Sequence, residues 1–353
     1  MAGMSEDRLA TYRALDRDSL DLRDQKISTF LRRAVQEGYK LGAEGFLQHH
    51  GFFQAPHRQD LTDVDIAIVG VPLDLGSLPR VGARHGPEAA RKWSHLYGLV
   101  HPETGTIPFE MCSIVDYGDV VWSSYNLAER IQDIRNTYDK LGESAVVPLS
   151  IGGEHTISYP ILAAITGGEP VGLVHVDAHC DTMGAWGGEI ANDTSVFRRA
   201  TLEGAIDPER TIQIGIRGPW SFVWDFSREC GMRVITADEV FERGVPAIVA
   251  EAREVVSNGP VYLSIDTDSL DSACMPGTTL PEPFGLTGRQ VRDIVRGLRG
   301  LDIIGADITE LCPPHDVGGM SANLVAALLF EILCVLVEAR VARTGRTRKT
   351  HWT

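Results

Sequence analysis

Acidic and imidazole side chains follow three of the most apolar segments of the sequence, at the point where each segment ends. The segment AVVPLSI runs into GGEHT, VGLVHV runs into DAHCD, and PVYLSI runs into DTD. The side chains capable of chemistry at these three ends are His155, Asp177, His179, Asp181, Asp266 and Asp268. Four carboxylates collected at one place repel one another and raise one another's pKa, so the pattern predicts a bound cation.

The mixture of ligand types indicates which cations the predicted site would take. Imidazole and carboxylate together suit Mn²⁺, Ni²⁺, Co²⁺ or Zn²⁺ better than Ca²⁺. Because alternate residues of an extended strand point to the same side, Asp177 can share a centre with His179, and Asp266 with Asp268. Two ions bridged by carboxylates and a water would use all six side chains and generate a hydroxide near neutral pH. The predicted reaction class is hydrolysis.

Taken singly, each of these residues could have a purely structural role. A lone Asp at a strand end is more often a helix cap, and a lone His is more often a packed residue. Six such residues at three strand ends, one group reading DxHxD, are difficult to assign to capping, and we therefore predict metal binding. His175 differs because it lies inside the segment VGLVHV, and it is expected to be a packed core histidine.

Short apolar segments alternate with helical segments from residue 64 onward. Strands are predicted at 64–70, 112–118, 145–151, 171–177, 210–216, 232–237, 260–266 and 302–308, and helices at 87–93, 127–141, 159–165, 246–256, 287–298 and 321–340. Uninterrupted apolar strands are typical of a sheet covered on both faces. The alternation predicts an α/β fold of three layers, αβα, with a single, mostly parallel eight-stranded sheet. Ligands bind beyond the carboxyl ends of such strands, where the six side chains lie.

Composition narrows the classes of protein and of partner. The chain has 353 residues, 43% hydrophobic and 23% charged, as in ordinary globular proteins. Lys plus Arg number 33 against 48 Asp plus Glu, a net charge of -15, which disfavours nucleic acid and anionic membranes and favours a small cationic partner. Six scattered cysteines and a charged first segment without an apolar core predict reduced thiols and a cytoplasmic location. The apolar run 324–330 is interrupted soon after by Glu331 and Glu338, and it is predicted to be too short and too charged to span a bilayer.

The chain is expected to have three parts. Residues 1–60 form a polar, helix-prone extension, residues 61–343 form the catalytic domain, and residues 344–353 form a basic tail. Solvated disorder is the first expectation for the tail, and a contact with another subunit is the alternative.

The motifs resemble those of the ureohydrolase family, which includes arginase, agmatinase and the guanidino-acid hydrolases. The resemblance covers residues 62 to 343 and rests on GGEHT, DAHCD, DTDSLDSACMPGT, GVPLDLGSLPRVGARHGPEAAR, VDYGDV and DITELCPPHD. It implies an arginase-like fold, two divalent ions per subunit and a trimer or hexamer. Most members of the family use Mn²⁺ and some use Ni²⁺, so the resemblance implies one of these two ions. One ion would be bound by His155, Asp177, Asp181 and Asp266, and the other by Asp177, His179, Asp266 and Asp268.

The resemblance also implies the roles of two carboxylates in catalysis. Glu310, in DITE, stands where the family carboxylate pairs with the substrate guanidinium, a planar cation whose parallel N–H groups match a carboxylate. Water activated between the ions would attack the guanidinium carbon, and Asp268 would help to stabilise the tetrahedral intermediate.

One departure from the family lies in the loop after DAHCD. Agmatinases and arginases carry a His-Gly pair there, whereas this sequence has Asn192 and Asp193. Asp193 is expected to replace the proton shuttle or to bind a second cationic group, and the alternative is a helix N-cap. In the same loop, Trp186 is expected to stack on a delocalised cation.

A second departure adds bulk to the loop after DTD. Met275 stands where the family has Ala, and Thr279 and Phe284 stand where it has Gly. These residues are expected to shape the entrance for a compact guanidine, with simple packing as the alternative.

The sequence thus predicts a dinuclear amidinohydrolase for a small cationic guanidine or biguanide, of the guanidine or metformin hydrolase type. Agmatine hydrolysis is the first alternative. The second is a non-catalytic subunit that assembles with an active paralogue.

Overall fold

A computed structural model of the chain describes residues 4–40, 51–76, 80–185, 191–219 and 224–352. Within these residues, eight strands form one sheet in the order β2-β1-β3-β8-β7-β4-β5-β6, and every neighbouring pair is parallel. The strands are β1 Ile66–Val71, β2 Ile114–Asp119, β3 Val147–Gly152, β4 Val171–Val176, β5 Ile206–Ile216, β6 Arg233–Thr236, β7 Pro260–Asp266 and β8 Asp302–Thr309. All eight predicted strands are present, and the predicted α/β fold class is confirmed.

Helices surround the sheet. In the described part of the chain they are α1 Glu6–Arg13, α2 Gln25–Gln36, α3 Gly86–Ser94, α4 Pro108–Met111, α5 Leu127–Glu143, α6 Ser158–Ile165, α7 Val196–Leu202, α8 Asp225–Glu229, α9 Ala237–Arg243, α10 Val245–Val256, α11 Gly288–Gly297 and α12 Met320–Thr344. Each of the six predicted helices is present. The prediction missed α4, α7, α8 and α9, which have four to seven residues each and are too short to show a helical period.

The two faces of the sheet bury different sets of side chains. Along β1, Ile66 and Ile68 join the apolar cluster that contains α3 and α12, whereas Ala67 and Val69 join the cluster that contains α5 and α6. Because both faces are covered, β1, β3 and β4 are buried at every position. Three layers follow directly from this double burial.

Helix α12 corrects one expectation from the sequence. It runs for 25 residues, and its length and composition alone would allow it to cross a membrane, contrary to the prediction that the run is too short. Most of its apolar stretch is nevertheless buried, and residues such as Leu329 and Leu333 pack in the main core. In this protein α12 is a core helix.

Helix α2 and the last described residues pack together beside edge strand β2. The Thr350 hydroxyl accepts the Ile114 N–H and donates to the Cys112 carbonyl, each at 2.8 Å. The Trp352 ring lies 5.4 Å from Phe109 and 6.4 Å from Phe30 of α2, measured between centroids. The expectation of a solvated tail is therefore wrong for Thr350, which is buried, and for Trp352, whose ring is partly buried and packs against the main core.

Candidate metal centre

The predicted ligands lie at the carboxyl ends of three of the four central strands. His155 follows β3, Asp177 follows β4, Asp266 ends β7, and Asp268 lies in the turn after β7. Strand β8 lies between β3 and β7, and Glu310 follows it at the same edge of the sheet. The four ends together enclose one site.

A tight turn at Gly153 positions His155. Gly153 has φ +26°, and a Cβ atom there would lie 2.4 Å from the carbonyl oxygens of Val71 and Leu73. Only glycine fits, because any side chain would collide with the backbone of the neighbouring segment. The turn directs the His155 imidazole back over the end of the sheet.

Three carboxylates surround the Nδ1 atom of His155. Its distances to carboxylate oxygens are 2.8 Å for Asp181, 3.2 Å for Asp266 and 3.3 Å for Asp177. All four groups are buried. These four side chains are the first predicted centre, and the structure brings all of them together.

The other ring nitrogen of His155 shows that Nδ1 is suited to bind a cation. Its Nε2–H donates to the Ser264 hydroxyl at 2.9 Å, and that hydroxyl donates to the Asp307 carboxylate at 2.6 Å. Because the carboxylate only accepts, this network assigns the ring proton to Nε2 and leaves a lone pair on Nδ1. The buried Nδ1 has no hydrogen-bond partner among the described residues. A lone pair facing three carboxylates fits a divalent metal ion.

The acidity of the carboxylates supports the same fit. Burial, with the neighbouring carboxylates, raises the pKa of Asp181 to about 7 and that of Asp266 well above its usual value. Their charged forms are thus disfavoured until a cation balances them.

The second predicted centre lies on the other side of Asp177. The Nδ1 atom of His179 is 3.0 Å from an Asp268 oxygen and 3.5 Å from Oδ1 of Asp177. Asp177 thus faces both centres, as expected of a bridging ligand. Asp266 faces the first centre with Oδ2, while its Oδ1 accepts the Asp268 N–H at 2.8 Å. Its contact with a second ion stays a prediction.

A row of buried polar residues crosses the sheet below the site. Ser150, Asp307, Ser264, His175 and Gln213 are register partners on five neighbouring strands. The His175 Nε2–H donates to Asp177 at 2.7 Å, and its Nδ1 accepts from Gln213 at 3.1 Å. His175 is buried as predicted, but it also orients a predicted ligand, a role that the sequence analysis missed. Its i, i+2 spacing from Asp177 is the signal that was available.

Glu310 is fixed beside the first centre. Its Oε1 accepts the backbone N–H of His155 at 2.5 Å, and its Oε2 accepts the Thr279 hydroxyl. Burial first, and then the charges of Asp266 and Asp193, raise the pKa of Glu310 well above its usual value. A cation beside this carboxylate would restore its charge, as a guanidinium group would.

The turn that follows Asn192 packs against the turn that carries His155. Asn192, not Asp193, is the N-cap, because its side chain accepts the Thr194 N–H at 3.1 Å. The alternative of a capping role for Asp193 is therefore wrong. Burial raises the pKa of Asp193 to about 6, and the charges of His155 and His179 act on it in the opposite direction. Trp186 lies outside the described residues.

The three residues predicted to shape the entrance occupy different environments. Thr279 is buried and contacts Glu310. Met275 is fully buried in the main core, so its added bulk serves packing. The Phe284 side chain is 82% exposed and its backbone has φ +62°, so it projects into solvent. Of the three, Thr279 is the one that contacts a predicted substrate-binding group.

Comparisons with known proteins identify relatives of this chain. The model of the arginase family matches residues 64–335. The guanidinopropionase of Pseudomonas aeruginosa is 43% identical over 291 residues, which cover 82% of this chain and 92% of that protein. The mitochondrial agmatinase of Gallus gallus is 44% identical over 288 residues, 80% of this chain and 84% of that protein. The solved proclavaminate amidino hydrolase of Streptomyces clavuligerus superposes with a TM-score of 0.81 at 34% identity, covering 84% of this chain and 99% of that one.

The fold and the matches define an amidinohydrolase, an enzyme that hydrolyses carbon–nitrogen bonds of guanidino compounds. The chain belongs to the arginase family, whose proteins bind a dinuclear metal site. The family suggested by the sequence motifs is thus confirmed.

Proposed function

We propose that the chain hydrolyses a small cationic guanidine or biguanide, in the manner of guanidine or metformin hydrolases. The products would be urea or guanylurea, with ammonia or an amine. The proposal is carried by Glu310, whose carboxylate is held beside the predicted metal ligands by the His155 N–H and the Thr279 hydroxyl, and the charge of Asp193 adds to the rise in its pKa. Two acids at one site favour a compact cation and repel a substrate with a carboxylate tail.

Each residue of the site has a role in this proposal. Two bound ions would activate water and withdraw charge from the reacting carbon. Glu310, held by His155 and Thr279, would accept N–H groups of the guanidinium. Asp268, whose Oδ1 accepts the Ala178 N–H at 3.1 Å, would stabilise the tetrahedral species.

Asp193 is the proposed proton carrier. A carboxyl group whose pKa is about 6 can take a proton and return it near neutral pH, which is the requirement for general acid–base catalysis. It would deliver that proton to the departing amine. Asn192, which caps the turn, would fix the position of Asp193.

The remaining parts of the proposal follow the family. We propose two divalent ions per subunit, Mn²⁺ or Ni²⁺, held by the six ligands at the strand ends. We further propose a cytoplasmic trimer or hexamer, formed by this chain alone or with a paralogous subunit.

A substrate screen tests the proposal. Purified chain loaded separately with Mn²⁺ or Ni²⁺ is incubated with guanidine, dimethylbiguanide, agmatine, guanidinopropionate and guanidinobutyrate, and release of urea, guanylurea and amine is measured. Turnover of guanidine or the biguanide above the others supports the proposal. Urea and putrescine from agmatine, with no product from guanidine or the biguanide, would establish the agmatinase alternative. A chain that binds little metal and turns over nothing alone would be a non-catalytic subunit.

A matched variant sharpens the screen. Asp193→His introduces in this loop the imidazole that agmatinases carry there, while Asp139→His changes an exposed residue of α5. We expect Asp193→His to raise the activity on agmatine relative to that on guanidine or the biguanide by about tenfold or more. The substitution removes one of the two carboxylates that favour a compact cation. Asp139→His should leave the ratio unchanged.

A further inference from the structure

Arg217 follows β5 and donates to an unusual number of backbone carbonyls. The three side-chain nitrogens of Arg217 lie 2.7 to 3.3 Å from six carbonyl oxygens. The acceptors are the carbonyl oxygens of Gly215, Asp268, Ser269, Leu270, Glu282 and Pro283. All but Gly215 belong to residues 268–285, which we call the entrance segment. Arg217 has no salt bridge among the described residues, so its hydrogen-bonding capacity is directed at this backbone.

Two glycines lie in close contact with Arg217 and His179. A Cβ atom on Gly285 would lie 2.3 Å from Nη2 of Arg217, and one on Gly218 would lie 2.5 Å from Cδ2 of His179. A side chain at either position would force Arg217 or His179 to move, so the two glycines permit this close packing. Arg217, the entrance segment and His179 therefore pack directly on one another.

The residues held by Arg217 face both nitrogens of His179. The Asp268 carbonyl accepts from Arg217 at 2.7 Å, and its carboxylate lies 3.0 Å from Nδ1 of His179. The Glu282 carbonyl accepts from Arg217 at 2.9 Å, and its carboxylate lies 3.4 Å from Nε2 of His179. A single guanidinium thus fixes the backbone of a predicted ligand and of the carboxylate behind another ligand.

The two imidazole ligands differ in how they are supported. His155 is anchored through Ser264, inside the sheet, whereas His179 is anchored through Glu282, in the entrance segment. A carboxylate behind a ligand imidazole fixes the ring and strengthens metal binding about 10- to 100-fold. For His179, that support depends on a segment that Arg217 holds in place.

We propose that Arg217 is a positioning residue for the second metal centre, because it clamps the entrance segment so that Asp268 binds the ion and Glu282 orients His179. The inference rests on the dinuclear centre of the proposed function. It assigns to Glu282 and Arg217 roles in metal retention and none in contact with the substrate.

Metal retention and hydrogen exchange test this inference in the full chain. The variants are Arg217→Met, Arg217→Lys and Glu282→Gln. Arg210→Met is the matched control, because Arg210 lies on β5, the strand that precedes Arg217, and also donates to carbonyls, those of Val256 at 3.0 Å and Pro260 at 3.2 Å. Each protein is loaded with Mn²⁺ and dialysed, and bound Mn²⁺ per chain and exchange of peptides spanning 268–285 are measured.

We expect Arg217→Met to retain about half of the Mn²⁺ that the unmodified chain retains and to need at least tenfold more Mn²⁺ for reloading, with faster exchange in the entrance segment. Arg217→Lys should show the same change to a smaller degree, because an ammonium group cannot reach as many acceptors. Glu282→Gln should weaken Mn²⁺ binding about tenfold without faster exchange. Arg210→Met should retain Mn²⁺ fully.

Two results would overturn the inference: full Mn²⁺ retention by both Arg217 variants, or equal loss of Mn²⁺ from Arg210→Met. If Arg217→Met does not fold, the Arg217→Lys result decides. If the unmodified chain itself retains no Mn²⁺ or Ni²⁺, the dinuclear centre of the proposed function fails and the inference fails with it. These outcomes are distinguishable because the unmodified chain is measured beside every variant.

Discussion

The Glu310 carboxylate accepts the backbone N–H of His155, with 2.5 Å between Oε1 and the nitrogen. This bond joins the end of β8 to the turn after β3, two strands that are neighbours in the sheet. The group predicted to hold the guanidinium is therefore fixed relative to the first predicted metal ligand. Such fixed geometry lowers the cost of aligning a substrate carbon with an attacking water.

Replacing Glu310 by Gln tests this relationship. Glu310→Gln keeps the shape and the acceptor for the His155 N–H but removes the charge that a guanidinium requires. We expect kcat/KM to fall about 100-fold or more, about 3 kcal/mol of transition-state binding, while the melting temperature stays the same or rises because a buried charge is gone. Steady-state kinetics and calorimetry measure the two effects. Activity within threefold of the unmodified enzyme would contradict a guanidinium-binding role.

The hydrogen bond from His155 to Ser264 gives a second prediction. In Ser264→Ala, Nε2 of His155 loses its acceptor, so the proton is no longer fixed there and Nδ1 is less often available to the ion. Metal affinity should fall about 10- to 100-fold, measured by isothermal titration with Mn²⁺. Ser158→Ala is the control, because the Ser158 hydroxyl donates to the same Asp307 carboxylate at 2.6 Å but takes no part in the bond between Ser264 and His155. If the two variants lose affinity equally, Ser264 has no specific role in orienting His155.

The six ligand-type side chains could be predicted from the sequence because each follows an apolar run, and the position of strand ends in a parallel sheet is a general rule. The residues that form hydrogen bonds to these ligands could not be predicted from the sequence. Ser264, Asp307 and Gln213 sit within apolar strands, where one polar residue is not distinguishable from an ordinary interruption. Their pairing depends on strand order and register, which short apolar runs leave open.

The order of strands in the sheet is a second feature that the sequence could not predict. Along the chain the ligand motifs follow β3, β4 and β7, whereas in the sheet β8 lies between β3 and β7. The hydrogen bond between Glu310, which follows β8, and His155, which follows β3, joins residues 155 positions apart in the chain. The resemblance in DITE indicated a role for Glu310, but its bond to a ligand backbone needed the three-dimensional arrangement.

The buried carboxyl of Asp193 predicts a pH dependence of stability. Burial raises its pKa to about 6 in the folded chain, against about 3.9 when unfolded. Because the folded state binds the proton more tightly, the free energy of unfolding declines as pH rises from about 4 to about 6. Metal-free Asp193→Asn should thus be more stable than the unmodified chain above pH 6, by on the order of 1 to 3 kcal/mol.

Urea unfolding at several pH values between about 4 and 7.5 measures this difference, which should vanish near pH 4. The control Asp139→Asn alters an exposed residue and should follow the unmodified chain. A difference that is independent of pH would show that Asp193 does not titrate in this range.

Removing metal should destabilise the protein. Four buried carboxylates at one site repel one another without a cation, so chelation should lower the melting temperature and added Mn²⁺ or Ni²⁺ should restore it. At 100 times the dissociation constant, one bound ion adds about 2.7 kcal/mol. Ca²⁺ is the control, because imidazole ligands suit it poorly and it should restore little. Equal restoration by Ca²⁺ would indicate only general charge screening.

The last prediction concerns Trp352 and the packing of the chain termini. Its indole N–H donates to the Gln54 carbonyl at 2.9 Å, and its ring lies 5.7 Å from that of Tyr39. In Trp352→Ala these contacts and the packing on α2 are lost, so the free energy of unfolding should fall by about 2 kcal/mol. Hydrogen exchange should quicken in α2, while kcat/KM stays within twofold because the site lies at the ends of other strands. Tyr125→Ala removes an aromatic ring that is 89% exposed and should change stability by less than about 0.5 kcal/mol. An unchanged unfolding curve for Trp352→Ala would mean that the tail does not hold α2 in place.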